Sequence, residues 1–146
     1  ITSSIINRLR IKSLDRVFLD ANILFSVAYR PNSRLSELWR FPDIILLTSA
    51  YAVEEAHRNL LQVEQQHELD KLLQTIQVIA FITPSKKLPA GIILPQKDAP
   101  ILLAALAVQA SHLLTGDIRH FGAYFGQQIE GVLILPPAEY FRQREA

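Results

Sequence analysis

Eight consecutive residues, Ile101 to Val108, are apolar without a break. Helical periodicity cannot select one face in such a run, so a helix built from it has to be covered on most sides and becomes a central element. Its start is marked by Asp98, just before Ala99 and Pro100, because an acid followed by proline belongs to a first helical turn. The helix is expected to end near Ala110. His112 to Thr115 then reads as a short apolar strand that stops at Thr115-Gly116-Asp117. A second aspartate is thereby left on the loop beyond the strand's C-terminal end, the edge at which open α/β sheets bind ligands.

The same pattern of strand followed by acid occurs earlier. Arg16-Val17-Phe18-Leu19-Asp20 is rich in strand formers and ends in Asp20-Ala21-Asn22, before Ile23-Leu24-Phe25 turns helical. Ser33 to Arg40 reads as a helix with Leu35, Leu38 and Trp39 facing inward. Ile44 to Leu47 reads as a second strand, and Thr48-Ser49 supplies N-cap hydroxyls for a helix to about Leu61 that carries Glu54 and Glu55. Glu64 to Ile76 is a more solvated helix, and Val78 to Ile82 a third strand. Thr83 to Gln96, with three prolines and Gly91, is a loop that delivers the chain to Asp98. Val132 to Leu135 forms a last strand, and Pro136-Pro137 opens a C-terminal helix with Tyr140 and Phe141. Strands alternating with helices predict an α/β fold of βαβ units around a mostly parallel sheet.

The 146 residues are 49% hydrophobic and 20% charged, which fits one domain over 1–146 with residues 1–14 as an N-terminal extension. A net charge of +1 neither demands nor forbids a nucleic-acid partner, since a polyanion needs only a local basic patch. The absence of cysteine excludes disulfides, thiolate chemistry and zinc ribbons, leaving carboxylates and histidines for hard cations. No apolar run approaches the ~20 residues that span a bilayer. Residues 1–14, with Arg8, Arg10 and Lys12, lack the apolar core of a signal peptide. A cytoplasmic protein with no membrane partner is expected.

Taken singly, each acid has an ordinary structural use. Asp98 can be a helix cap, Asp20 and Asp117 can close turns at strand ends, and Glu54 and Glu55 can form a solvated helix face paired with Arg58. Together they make a different pattern, because one end of a parallel sheet would gather them. Clustered carboxylates repel unless a cation neutralises them or some bind protons. Oxygen ligands suit Mg²⁺ or Mn²⁺, and such ions support hydrolysis of phosphodiesters.

These residues resemble the PIN-domain nucleases, the family that includes VapC toxins. Phe18 to Ser26 is similar to the family's first motif, an aspartate ending strand one with asparagine two places on. Thr48 to Leu60 is similar to the second, a helix whose glutamate is followed five positions later by leucine. Lys97 to Asp117 is similar to the third and fourth motifs with their linking helix. The resemblance spans about Arg16 to Phe141. It implies a three-layer α/β/α sandwich with a mostly parallel five-stranded sheet, dependence on Mg²⁺ or Mn²⁺, and endonucleolytic cleavage of RNA. It also implies that Asp20, Glu55, Asp98 and Asp117 are the catalytic, metal-binding acids, supported by Asn22 and Thr115. Candidate partners are RNA, an antitoxin protein and further copies of the chain. The departures are the double glutamate and the Ile118-Arg119-His120 that follow Asp117.

The choice between the two glutamates divides the two lines of reasoning. Neighbouring helix residues point ~100° apart, and periodicity places Val53, Ala56 and Leu60 on the buried stripe with Glu54 at its border. Burial favours Glu54. The family register favours Glu55, through Leu60. For substrate phosphates, sequence proximity to the motif loops nominates Arg58, Arg119 and His120, with Arg30, Arg34, Lys86 and Lys87 behind them. Two rival readings remain. One is a PIN-like module that binds RNA or protein without catalysis. The other is a haloacid-dehalogenase-like phosphatase, which needs an acid where Asn22 stands.

Overall fold

In the computed structural model, which describes residues 14–80 and 87–145, the apolar runs pair into one sheet. β1 (Asp15–Leu19), β2 (Ile44–Ser49), β3 (Gln77–Ile79), β4 (His112–Leu114) and β6 (Val132–Leu135) are joined in parallel, in the order β3-β2-β1-β4-β6. The two-residue β5 (Gln128–Ile129) pairs antiparallel with β6. Among the described residues the sheet therefore has six strands where five were expected. The parallel five match the expectation; the sixth is an edge hairpin turned by Glu130 and Gly131, both at positive φ. Central strands are apolar on both faces, with Val17, Phe18, Leu19, Leu113 and Leu114 all buried, as a parallel sheet covered on two sides requires.

The helices are α1 (Ala21–Tyr29), α2 (Ala50–Asn59), α3 (Val63–Leu73), α4 (Ala99–Ala107), α5 (Ile118–Phe121) and α6 (Pro137–Glu145). α1 packs on α2 and α3, and α4 packs on β2 and β4. Right-handed crossovers put α1 to α3 on one face and α4 on the other. The α4 run buries Ile101, Leu102, Ala104 and Ala105, while Leu103 and Leu106 are half-buried and Ala107 is exposed. Its cover is thus less complete than expected. It also stops at Ala107 rather than near Ala110. Gln109 takes φ 54°, and the N–H groups of Gln109 and Ala110 donate to the carbonyls of Leu106 and Ala105, a Schellman ending.

Two other expectations change. Arg34–Trp39 is a 3₁₀ helix where an α-helix was expected over Ser33 to Arg40. Its Trp39 indole N–H donates to the carbonyl of Leu72 at 3.0 Å, tying the short turn to α3. Ser49 alone caps α2, its Oγ accepting from the Ala52 N–H at 3.1 Å. Thr48 stays in the sheet and donates to the carbonyl of Leu19 at 2.8 Å, pinning the end of β2 to β1. Residues 1–13, the end of the expected third strand at Phe81 and Ile82, and Lys86 lie outside the described residues. Among the described residues, no helix is long and apolar enough to cross a membrane.

Candidate active site

Because the strand order reverses direction between β1 and β4, a crevice opens at their C-terminal ends. A cavity of about 480 Å³ lies there, and Asp20, Glu55, Asp98 and Asp117 all line it, with Asn22, Ser26, Asn59 and Lys97 among the other walls.

Asp20 follows β1 and is 3% exposed. Its Oδ1 accepts from the Ala21 N–H at 2.7 Å. Its Oδ2 accepts from the Thr115 hydroxyl at 2.7 Å and the Asn22 amide at 3.0 Å. Asn22 Oδ1 in turn accepts from the Gly116 N–H at 2.8 Å, and Thr115 Oγ1 accepts from the Asp117 N–H at 3.1 Å. The two supporting polar residues thus stitch the end of β1 to the end of β4. Burial pushes the Asp20 carboxyl up to about 6, against the pull of the Thr115 and Ala21 hydrogen bonds and with the negative charges of Glu55 and Asp98 adding to the rise.

Asp98 precedes α4 but does not cap it with its side chain. Its Oδ2 is buried and has no hydrogen-bond partner among the described residues. His120 Nδ1 is 3.1 Å away, yet that N–H is directed to Asp117 Oδ2 at 2.7 Å. Burial raises the Asp98 carboxyl above its ordinary value despite Lys97 and His120 nearby. At Asp117 burial pushes the same way but is outweighed by the His120 ring and backbone N–H, so its carboxyl is held below the usual range. One ligand atom each from Asp98, Asp117 and His120 lies within 4.8 Å of the others.

Glu55 projects from α2 into the cleft, whereas Glu54 is exposed and pairs with Arg58 at 3.5 Å. The buried stripe of α2 is Ala52 and Ala56, continued by Leu60 just past its end, with Val53 only half-buried. Small residues at 52 and 56 let the helix approach closely and rotate Glu55, not Glu54, toward the acids. Arg58 and Arg119 are outside the cleft lining, and Arg34 is bound to Glu37 and Glu145. His120 sits between two carboxylates rather than on an open phosphate path.

The lysine or arginine that does line the cleft is Lys97, whose Nζ is 3.8 Å from Asp98 Oδ1. It was not among the nominated cations, although its place beside Asp98 was readable. Tyr51, also unforeseen, donates from its hydroxyl to the Lys97 carbonyl at 2.6 Å and so ties the start of α2 to the loop that carries Asp98.

A model of the PIN domain matches residues 16–119, a stretch that contains all four acids. The chain belongs to the PIN-domain family, whose members are generally nucleases. Among solved structures, this PIN domain is similar to VapBC2 from Rickettsia felis bound to a DNA fragment from their promoter. The two share a TM-score of 0.61 at 17% sequence identity, covering 83% of this chain and 98% of that one. No curated protein matches the chain in sequence.

A divalent cation fits this donor set. The ligand atoms are mainly carboxylate oxygens, three of the four acids are drawn from different loops to one cavity, and a buried carboxylate oxygen makes no hydrogen bond among the described residues.

Proposed function

We propose that the protein is a Mg²⁺- or Mn²⁺-dependent endoribonuclease, and the toxin of a toxin–antitoxin pair. The observation that carries the reading is the convergence of four acids in one cleft, with Asp98 Oδ2 buried and without a hydrogen bond among the described residues. Asp20, Glu55, Asp98 and Asp117 would hold the metal, with the His120 ring in reach of the last two. When bound, such an ion supplies Lewis acidity toward water and the phosphate oxygens. The chain's own part is positioning. Thr115 and Asn22 fix the Asp20 carboxylate, Tyr51 holds the peptide that presents Asp98, and Lys97 offers a positive charge to an anionic substrate. Membership of a family of nucleases and the fold shared with a VapBC toxin–antitoxin structure support the toxin role, with an antitoxin and further copies of the chain as partners.

The test is cleavage of a panel of single-stranded and structured RNAs by wild-type protein and Asp20→Asn. Cleavage should need Mg²⁺ or Mn²⁺ and fall at least about a hundredfold in the variant, more than the loss of an outer-shell partner causes. Growth arrest on induction in the native host should follow the same pattern. Cleavage that persists in EDTA, or at full rate in Asp20→Asn, would sink the reading.

A further inference from the structure

A second groove, of about 360 Å³, adjoins the acid cleft. It is lined by Ala21, Asn22, Phe25 and Asn59, and two of these, Asn22 and Asn59, also line the cleft. The groove has a simple origin in α1. Ala21, Phe25 and Tyr29 stand four apart on one helical stripe, where side chains lie one above the other and lean toward the N-terminus. The Phe25 and Tyr29 rings stack, with centroids 5.5 Å apart and planes 20° from parallel. Tyr29 is 50% exposed. The next position of that stripe is Ala21, which is 3% exposed and contributes only a methyl group to the wall of the groove.

We propose that this notch is a nucleobase subsite, in which a base of single-stranded RNA next to the scissile phosphate continues the Phe25–Tyr29 stack. The proposal rests on the nuclease reading of the acid cleft and deepens it. Ala21 follows Asp20 directly, so the subsite begins one residue from the acids, within reach of a neighbouring nucleotide. The groove's walls suit a base: an aromatic ring for its face, and the exposed Asn59 amide for its edge. Asn22 is committed to Asp20, Thr115 and Gly116 and serves as a fixed wall. Four lining residues make a slot for one flat ring, whereas a docked peptide helix needs anchors spread over i, i+3, i+4 and i+7. Stacking of this kind tolerates any base, because every base has a π-face.

An abasic scan tests it. A short RNA cut at one position by the wild-type protein is remade with a baseless nucleotide at each flanking position in turn, and kcat/KM is measured for wild type, Phe25→Leu and Asn59→Ala. In the wild type, base removal at one flanking position should lower kcat/KM about tenfold. In Phe25→Leu the intact RNA should be cut about tenfold less efficiently, through KM, and base removal at that position should add little. Asn59→Ala changes an exposed position and keeps the test alive if Phe25→Leu does not fold; its penalty should fall at the same nucleotide. Equal base-removal penalties in wild type and both variants would overturn the subsite, and would be the result if the notch instead received an apolar side chain of a protein partner. A wild-type protein that cuts no RNA would overturn the nuclease reading and the subsite together, an outcome distinct from that one.

Discussion

The two ends of the sheet treat their acids in opposite ways. At the N-terminal end of the strands, Asp15 accepts from the Tyr140 hydroxyl at 2.7 Å and Asp43 accepts from Arg144 at 2.6 Å, while the Arg144 guanidinium stacks 4.2 Å over the Phe41 ring. Both aspartates are thereby paired, and α6 is clamped across the edge. At the C-terminal end, four carboxylates face one another with Lys97 and His120 as partial compensation, and one buried oxygen makes no hydrogen bond among the described residues. Packing for stability alone would satisfy both ends alike. The matched PIN region, 16–119, holds the unsatisfied end and leaves α6 outside it. The difference separates charges neutralised by partners within the fold from charges left facing one another.

The comparison can be broken first by pH. The folded-state value of Asp20, about 6, lies above its ordinary 3.8, so between these values the folded metal-free protein binds more protons than the unfolded chain. As far as this group is concerned, stability is greatest below about pH 4, falls as pH rises toward 6 and is level above that, by about 3 kcal/mol in all. Urea unfolding in EDTA across this range should show that decline in the wild type, with a flatter profile in Asp20→Asn. Parallel profiles would mean that the acid end carries no such strain.

Next in size is the clamped end. Arg144→Met leaves Asp43 without its partner, takes the 3.8 Å ion pair from Asp15, which keeps its Tyr140 hydrogen bond, and removes the ring contact; it should lower stability by about 1–2 kcal/mol, the lower figure reflecting the exposure of Asp43. Cleavage per folded molecule should be unchanged. A loss of kcat at full stability would join the two ends functionally and undo the contrast.

The smallest effect separates neighbours on α2. Glu55→Gln should weaken Mn²⁺ binding about tenfold, by removing one charge from the cluster, whereas Glu54→Gln loses only an exposed pair with Arg58 worth about 0.3–0.5 kcal/mol. Mn²⁺ titration distinguishes them, and equal losses would assign the cleft wrongly.

Much of this was legible because the parallel strands are near-continuous apolar runs and two of them end in acids; β1, β4 and their aspartates needed only that pattern. β5 was missed because Gln128 and Ile129 carry no strand signal of their own, and Glu130 and Gly131 set the turn through positive φ. The end of α4 was misplaced because a glutamine, not glycine, takes the left-handed position. Lys97 and Asn59 line one cleft, and Tyr51 reaches the Lys97 carbonyl, only when the loop before α4 meets α2. Asp43 and Arg144, 101 residues apart, left no sequence trace of their pairing.

The central claim is that the acid end sacrifices stability for a cation. Asp98→Asn tests it most directly, because the substitution removes a charge from a carboxylate whose Oδ2 makes no hydrogen bond. Thermal melts at pH 8 in EDTA should place the variant about 3 °C above the wild type. Mn²⁺ at a hundredfold excess over its Kd should then stabilise the wild type by about 2.7 kcal/mol and the variant by much less. A variant that melts below the wild type in EDTA and gains as much from Mn²⁺ would contradict the account.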